Sequence, residues 1–182
     1  MEVMVDIETM AVSHKASILT IGAIKFNRKD PLNKKLEDHD TFYCRVDLKS
    51  CLDIGLDYDK NTEKWWKSQS PEISKEVFDH NDRLDIRDAL VQFHNWYTFT
   101  NISFVWGHGC AFDIPILESA FKACSIVPPW KFWQVRDTRT TYDLCKVYLS
   151  SDNSKHHALY DCYNQIVKLK ECIQKIKKMA YE

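Results

Sequence analysis

The order of strand-like and helix-like segments is the feature that most constrains the fold of this chain. Three β-branched or apolar runs come first, joined by short polar connections, at residues 3–9, 17–26 and 41–46. Such close spacing favours an antiparallel meander within one sheet. Helical periodicity and short strands then alternate along the rest of the chain. The order therefore predicts an α/β fold: a mixed sheet with its first three strands antiparallel, flanked by helices.

The later segments are identified by their periodicity and by their caps. Apolar side chains recur at three- and four-residue steps in residues 86–97 and 158–179, which predicts two amphipathic helices. Asp85 is a suitable N-cap for the first of them. Further helices are predicted at residues 63–68, 71–78, 113–123 and 138–149, and further strands at 103–106 and 132–135.

Composition limits the classes of function that need to be considered. The chain has 182 residues, 45% of them hydrophobic, and no linker divides it, so we expect a single domain over residues 1–182. Its 25 Lys and Arg against 26 Asp and Glu give a net charge near zero, which argues against a protein that coats long duplexes through many phosphate contacts. Seven cysteines without a C-x-x-C pair are typical of a reducing compartment. With no stretch approaching the about 18 apolar residues of a membrane span, we expect a cytoplasmic protein that does not bind membranes.

Four acidic residues occupy positions where a carboxylate needs an explanation. Asp6 and Glu8 are two apart on a predicted strand, so their side chains point to the same face. On an otherwise apolar strand they repel each other and lose hydration unless a cation or hydrogen bonds compensate them. Asp113 begins a helix after a strand has ended, and Asp161 lies early in the last helix. Each acid alone has an ordinary explanation, either a solvated strand end or a helix cap.

A histidine precedes the last of these acids by five residues. Because five helical steps turn about 500°, His156 and Asp161 cannot share a helical face. We therefore expect His156 in the loop before the helix, beside the polar run at residues 150–155, which predicts mobility. A mobile imidazole suits a general base, because its charge changes near neutral pH.

Taken in order, these motifs resemble those of a known family. The segments VDIET, WGHGCAFDIPIL, RDTRT and HHALYDC span nearly the whole chain, and their order is similar to that in the histidine branch of the DEDD 3′-5′ exonucleases (DEDDh). Within that family, TEKWWKSQSPE and KFWQVRDTRT look most like the branch that contains phage exodeoxyribonuclease A and a mycobacterial-type 3′-5′ exoribonuclease. The stretch between RDTRT and HHALYDC is shorter than in proofreading members, which leaves substrate length open.

The resemblance implies a ribonuclease H-like fold and hydrolysis of phosphodiesters at a single-stranded or frayed 3′ end, releasing nucleoside 5′-monophosphates. It implies two divalent cations, Mg²⁺ or Mn²⁺, with their ligands at Asp6, Glu8, Asp113 and Asp161. Hard cations do prefer oxygen ligands, and paired ions suit an in-line phosphodiester displacement. The resemblance also implies His156 as the general base. His157 is the alternative, because it stands four residues before Asp161, where the sister branch carries a catalytic tyrosine; we favour His156.

Aromatic residues near these motifs are candidates for stacking on a terminal base. Trp65 and Trp66 are adjacent on a predicted helix, about 100° apart, so at most one of them faces a given partner. Core packing is the alternative explanation for each. Stacking of a base on such a ring would contribute about 1–3 kcal/mol to binding, and it would not depend on which base is stacked. Met10 and Phe112, beside the acidic residues, compete for the same role, and we take Met10, Trp66 and Phe112 as substrate-binding candidates.

Two polar residues complete the set of candidates for substrate binding. His108 could contact the scissile region, although a hydrogen-bonded structural histidine fits the sequence equally well. Arg139 could contact a phosphate, or it could pair with Asp137. Asp137 itself is better explained as the N-cap of the following helix than as a further metal ligand.

Other functions fit part of the same pattern. The alternative to the enzyme is a catalytically silent module on the same fold that binds nucleic acid or a protein partner, and the presence of all five catalytic residues weighs against it. An internal cutter would use the carboxylates without His156. These residues do not distinguish RNA from DNA, because the chemistry at phosphorus needs no 2′-hydroxyl. Dimers are common among relatives, and the last helix could support a homodimer, but the sequence identifies no interface.

Overall fold

The computed structural model describes residues 1–32, 34–79, 81–147 and 156–179. The run at residues 150–155, for which the sequence predicts mobility, lies outside the described residues. The helix predicted at residues 138–149 ends earlier, at Cys145, because Lys146 takes a left-handed backbone conformation that terminates it. Residues 148 and 149 lie outside the described residues.

The described residues form a six-stranded mixed sheet with the order β4-β3-β2-β1-β5-β6. Strands β1 (Glu2–Thr9), β2 (Ile18–Phe26) and β3 (Asp40–Val46) pair antiparallel, as predicted. The short strands β4 (Arg83–Leu84), β5 (Phe104–Gly107) and β6 (Val135–Asp137) are added in parallel. The predicted α/β class and the antiparallel start of the sheet are therefore confirmed.

Helices cover both faces of this sheet. Their bounds are Leu48–Asp53 (α1), Lys60–Lys67 (α2), Pro71–Phe78 (α3), Ile86–Thr98 (α4), Asp113–Ala123 (α5), Thr138–Cys145 (α6) and Ala158–Met179 (α7). Phe93 of α4 and Phe121 of α5 pack with Ile7 in the core on one face. Cys162 and Ile166 of α7 pack with Met4 on the other. Alternate residues of β1 therefore belong to two different cores.

The sequence prediction was wrong about some of the shorter elements. Helix α1 and strand β4 were not predicted, and β4 is only two residues long. The strand predicted at residues 132–135 instead begins with a 3₁₀ turn at Phe132–Gln134, and β6 follows it. A tertiary contact holds this turn, because the side chain of Gln134 donates to the carbonyl oxygen of Ile102 at 2.8 Å. Such contacts leave no periodic signal in the sequence.

Gly22 allows α7 to begin directly on the sheet. A Cβ atom at this position would lie 2.5 Å from the carbonyl carbon of Ala158, closer than any real Cβ contact. The thiol of Cys162 then contacts the carbonyl oxygen of Gly22 at 3.3 Å. Because Asp6 pairs with Gly22 across the two strands, the first turn of α7 comes to lie beside Asp6.

No helix in the described ranges is long and apolar enough to cross a membrane.

Candidate active site

The first turn of α7 brings a third carboxylate to the pair on β1. Asp6 and Glu8 share the face of β1 that α7 covers, and Asp161 lies at the start of that helix. One carboxylate oxygen from each of these three residues lies within 4.8 Å of the others. The strand and the helix thus converge on one acidic cluster, although 153 positions separate Glu8 from Asp161 in the sequence.

Asp113 completes the acidic lining from the neighbouring strand. It is the first residue of α5, directly after β5 and its short loop, and only 3% of its surface is exposed. Its carboxylate accepts hydrogen bonds from the backbone N–H of His108 at 3.1 Å and of Ile7 at 3.4 Å. These bonds fix Asp113 between β1 and β5. It lies outside the tight group of three but lines the same cleft.

The pKa values of these acids show that the charge of the cluster is not compensated. Burial raises the pKa of Asp6 well above its usual range, and the charges of Asp113, Glu8 and Asp161 add to the effect. Burial, followed by the charge of Asp161, raises the pKa of Glu8 to about 8. Burial raises the pKa of Asp113 only to about 6, because backbone N–H groups stabilise its charged form. An oxygen-rich cluster with raised pKa values is the chemistry that suits a divalent cation.

These acids line a cleft of about 550 Å³. The cleft is open to solvent and lies at the C-terminal ends of β1 and β5. Its lining brings together acidic, basic, aromatic and amide side chains. Besides the four acids, the lining side chains include His108, Phe112, Arg139, His156, Asn164, Gln165 and Lys168.

Only one of the two adjacent histidines reaches this cleft. His156 lines it, with φ of 43° in the left-handed region immediately before α7. His157 instead stacks on Tyr43, with ring centroids 4.6 Å apart, and lines a separate cavity with Glu76 and Tyr160. Burial lowers the pKa of His157. The structure therefore places His156, and not His157, among the carboxylates.

Comparison with known proteins identifies the family that carries this arrangement. The family model of the 3′-5′ exoribonuclease Rv2179c-like domain matches residues 1–173, which include the whole lining of the cleft. The chain belongs to this family. It is similar also to an exodeoxyribonuclease of Enterobacteria phage T4, with 26% identity over 203 aligned positions that cover 93% of this chain and 88% of the phage protein. The protein is therefore a 3′-5′ exonuclease with a ribonuclease H-like fold, as the sequence motifs predicted.

The structure separates the substrate-binding candidates of the exonuclease into two groups. His108, Phe112 and Arg139 line the cleft. Met10 and Trp66 do not: they are 0% and 2% exposed and pack together in a small core cluster. The indole N–H of Trp66 is already used, since it donates to the carbonyl oxygen of Thr9 at 2.9 Å. The expectation that Met10 and Trp66 contact substrate is therefore corrected, because both side chains are buried and neither lines the acidic cleft.

The exposed tryptophan beside the cleft is Trp65. Adjacent residues on α2 point in different directions, and Trp66 takes the inward one, which leaves Trp65 44% exposed. The indole of Trp65 meets the imidazole of His156 edge to face, with ring centroids 5.0 Å apart. Trp65 therefore both supports His156 and offers an aromatic surface at the edge of the active site.

Sequence reasoning assigned no role to the polar residues of α7 that follow Asp161. Gln165 is 3% exposed, and its side-chain N–H donates to a carboxylate oxygen of Asp6 at 2.8 Å. Asn164 and Lys168 line the cleft beside it. The available signal was the spacing: Gln165 follows Asp161 by four residues, which places both side chains on the same face of a helix.

Asp137 and Arg139 have separate roles at the start of α6. The carboxylate of Asp137 accepts the backbone N–H of Arg139 at 2.8 Å, so Asp137 is the predicted N-cap. The guanidinium of Arg139 lies over the backbone of Gly109 and donates to the carbonyl oxygen of His108 at 3.3 Å. It remains directed to the cleft, where its charge also lowers the pKa of Asp113.

Proposed function

We propose that this exonuclease removes nucleoside 5′-monophosphates from the 3′ end of a single-stranded or frayed RNA or DNA strand. The observation that carries the proposal is the convergence of Asp6, Glu8 and Asp161, with oxygens within 4.8 Å, in the cleft that His156 also lines. Both polymers are included because the family is described as exoribonucleases and the phage relative as an exodeoxyribonuclease.

The proposal assigns two divalent cations, Mg²⁺ or Mn²⁺, to the acidic cleft, with Asp6, Glu8, Asp113 and Asp161 as their ligands. Support comes from the oxygen-only donor set and from the raised pKa values of Asp6, Glu8 and Asp113, which show charge that the protein does not neutralise. When bound, such ions supply positive charge for the attacking and leaving oxygens of an in-line displacement. Asp113 is held by two backbone hydrogen bonds, and Asp6 is oriented by Gln165.

We assign the general base to His156. Its imidazole lies close enough to Asp161 to lower the pKa of that carboxyl, although burial outweighs this effect. A neutral imidazole accepts a proton from a water molecule near neutral pH, which a charge-neutralised carboxylate does poorly. The indole rings of Trp65 and Trp66 contact the imidazole in T-shaped arrangements, with ring centroids 5.0 Å and 5.9 Å away. This assignment places the exonuclease in the histidine branch of the DEDD enzymes.

Three residues are proposed to hold the substrate strand. The guanidinium of Arg139 offers paired donors to a phosphate at the edge of the cleft. Phe112 lines the cleft next to Asp113, and Trp65 contacts His156, so that two aromatic side chains lie near the acidic cluster. Stacking on such surfaces is tolerant of base identity, which suits an enzyme that trims any sequence.

The acidic cleft is tested with the variants Asp6→Asn and Asp161→Asn. Both keep the shape of the side chain and are expected to abolish Mg²⁺- or Mn²⁺-dependent release of mononucleotides from labelled single strands. Asp88→Asn is the matched control, because Asp88 is exposed on α4, across the sheet from the cleft. Full activity in both cleft variants, with folding confirmed by circular dichroism, would overturn the assignment.

The homodimer and the cytoplasmic location remain proposals of the same kind. All seven cysteines lie within the described ranges and are free thiols, and six of them are buried, as expected for a reducing compartment.

Sedimentation velocity of the purified chain tests the proposed homodimer. A single species with the mass of one chain across micromolar concentrations would contradict it.

A further inference from the structure

The fold determines which ring nitrogen of His108 carries the proton. Nδ1 lies 3.0 Å from the hydroxyl oxygen of Thr138, and that hydroxyl lies 3.1 Å from the carbonyl oxygen of Gly107. A carbonyl oxygen can only accept, so the single hydroxyl proton of Thr138 goes to Gly107. The hydroxyl must then accept from Nδ1–H. Because Thr138 is 0% exposed, water does not compete for these positions.

The other nitrogen of the ring is consequently an acceptor. His108 lines the acidic cleft and also the adjoining cavity that extends past Cys110 towards Asp143. With Nδ1 directed at the buried Thr138, the opposite side of the ring is the side available to these cavities, and within the described ranges Nε2 has no hydrogen-bond partner. A neutral imidazole with its proton on Nδ1 presents a lone pair at Nε2.

Few groups at the end of a nucleic acid can donate to such an acceptor. Backbone phosphate oxygens carry no proton at neutral pH, so Nε2 cannot bind them, and the neighbouring Arg139 is the better phosphate ligand. The sugar hydroxyls can donate, and every unphosphorylated 3′ end of natural RNA or DNA carries at least one. Donation by a base N–H would require a particular base, which conflicts with trimming of any sequence.

We propose that His108 is a specificity-determining residue of this exonuclease, whose Nε2 accepts a hydrogen bond from a sugar hydroxyl of the 3′-terminal nucleotide. The inference rests on the proposed function, because it requires that the 3′ end enters the acidic cleft. The 3′-hydroxyl, present in RNA and DNA, and the 2′-hydroxyl, present only in RNA, share the necessary chemistry. If the donor is the 2′-hydroxyl, His108 allows the enzyme to distinguish RNA from DNA.

The test compares three oligonucleotides that differ only in the terminal sugar: ribose, 2′-deoxyribose and 3′-deoxyribose. The wild type is expected to lose about fivefold in kcat/KM for release of the first nucleotide when the recognised hydroxyl is missing. Whichever deoxy end shows the loss identifies the hydroxyl. In His108→Leu, which keeps bulk and removes the acceptor, the ribose end should fall to the rate of that deoxy end, so that the ratio approaches one. In His108→Gln, whose side-chain oxygen can accept, part of the preference should return.

A second pair of variants tests the proton assignment without changing His108. Thr138→Val keeps the shape of the side chain but removes the acceptor for Nδ1–H, so the terminal-sugar preference should weaken, whereas Thr138→Ser should preserve it. A wild-type enzyme without a preference, or one whose preference survives in His108→Leu, overturns this inference while the proposed function stands. Absence of any release from a 3′ end by the wild type with Mg²⁺ or Mn²⁺ would overturn the proposed function, and this inference with it.

Discussion

Asp6 shows, at the scale of one residue, how the fold prepares the cleft. Its carboxylate is buried beside three other acids, and both the burial and their charges raise its pKa. The hydrogen bond from the side chain of Gln165 opposes this effect only in part. A buried carboxylate with so little compensation would ordinarily be selected against for stability. The free-energy cost of burying this carboxylate is explained if cations bind in the cleft, where these acids would be their ligands.

The two adjacent histidines provide a matched pair for testing the general base. His156→Ala is expected to lower kcat by about 10²- to 10⁴-fold, because it removes the proton acceptor from the cleft. His157→Ala removes an imidazole that packs on Tyr43 outside the cleft, so its kcat should stay within a few-fold of wild type. Initial rates on a 3′-labelled strand at saturating Mg²⁺ measure both. The reverse pattern, with His157→Ala the impaired variant, would contradict the assignment.

Gln165 is expected to act on the cations through Asp6. Gln165→Leu removes the donor that lies 2.8 Å from the Asp6 carboxylate, and loss of such a supporting hydrogen bond typically weakens metal affinity by about 10- to 100-fold. The Mg²⁺ concentration for half-maximal activity should therefore rise, while kcat recovers at high Mg²⁺. Gln92→Leu, at an exposed position of α4, is the control. An unchanged Mg²⁺ requirement in Gln165→Leu would exclude this role.

At the scale of elements, the position of α7 on the sheet determines the geometry of the cleft. The helix supplies Asp161 and Gln165, follows His156, and lies against β2 where Gly22 leaves room for its backbone. The close approach involves backbone atoms of Ala158, which cannot move aside as a flexible side chain would. The packing of α7 on Gly22 therefore determines where Asp161 and Gln165 lie in the cleft.

Gly22→Ala is expected to reduce both stability and activity. The added methyl group would require α7 to shift, an overpacking that typically costs about 1–3 kcal/mol of unfolding free energy. Because Asp161 moves with the helix, kcat/KM should fall by more than about tenfold. Gly55→Ala is the control: nothing lies within 4 Å of its Cβ, but its φ of 82° imposes a cost on stability. Urea denaturation and initial rates are measured on both. Normal activity in Gly22→Ala would show that the cleft does not depend on this contact.

How well each element could be predicted follows from its length and from the source of its stability. Strand β1 and helices α5 and α7 were predicted within one residue, because periodicity and caps define them locally. Strand β4 was missed because its two residues are held by tertiary contacts: the guanidinium of Arg83 donates to the carbonyl oxygen of Val46 at 2.9 Å. The sequence around a short strand does not show which distant residues will hold it in place.

The same distinction applies to the candidate site. Strand alternation was enough to place Asp6 and Glu8 on one face, and motif order was enough to bring Asp161 to them. The choice of Trp66 over Trp65 failed, because helical spacing shows that two neighbours diverge but not which one faces the core. Similarly, the left-handed backbone at His156 could not be predicted from its sequence, and it precedes the helix that carries Asp161.

At the scale of the whole molecule, stability and metal binding should be linked through pH. In the metal-free protein the pKa of Glu8 is about 8, whereas a glutamate in an unfolded chain has a pKa of about 4.3. The folded state therefore retains a proton that the unfolded state releases. The stabilising contribution is present below about pH 4.3 and is lost as pH rises towards about 8.

The comparison with Glu8→Gln, which cannot titrate, isolates this effect. In EDTA, the unfolding free energy of the wild type should fall relative to that of Glu8→Gln as pH rises from about 5 to about 8. Addition of Mg²⁺ should stabilise the wild type most at the upper end of this range, where protons no longer compete for the carboxylates. Urea denaturation at several pH values measures both. A constant difference between the two proteins across this range would contradict the linkage.

A time course of degradation of a 5′-labelled single strand by the purified wild-type protein tests most directly whether the acidic cleft is a metal-dependent 3′-5′ exonuclease site. We expect a ladder of products that shorten by one nucleotide at a time from the 3′ end. Degradation should stop in EDTA and resume when excess Mg²⁺ or Mn²⁺ is added. Internal fragments without a ladder, or shortening that continues in EDTA, would contradict the claim that these carboxylates form a metal-dependent 3′-5′ exonuclease site.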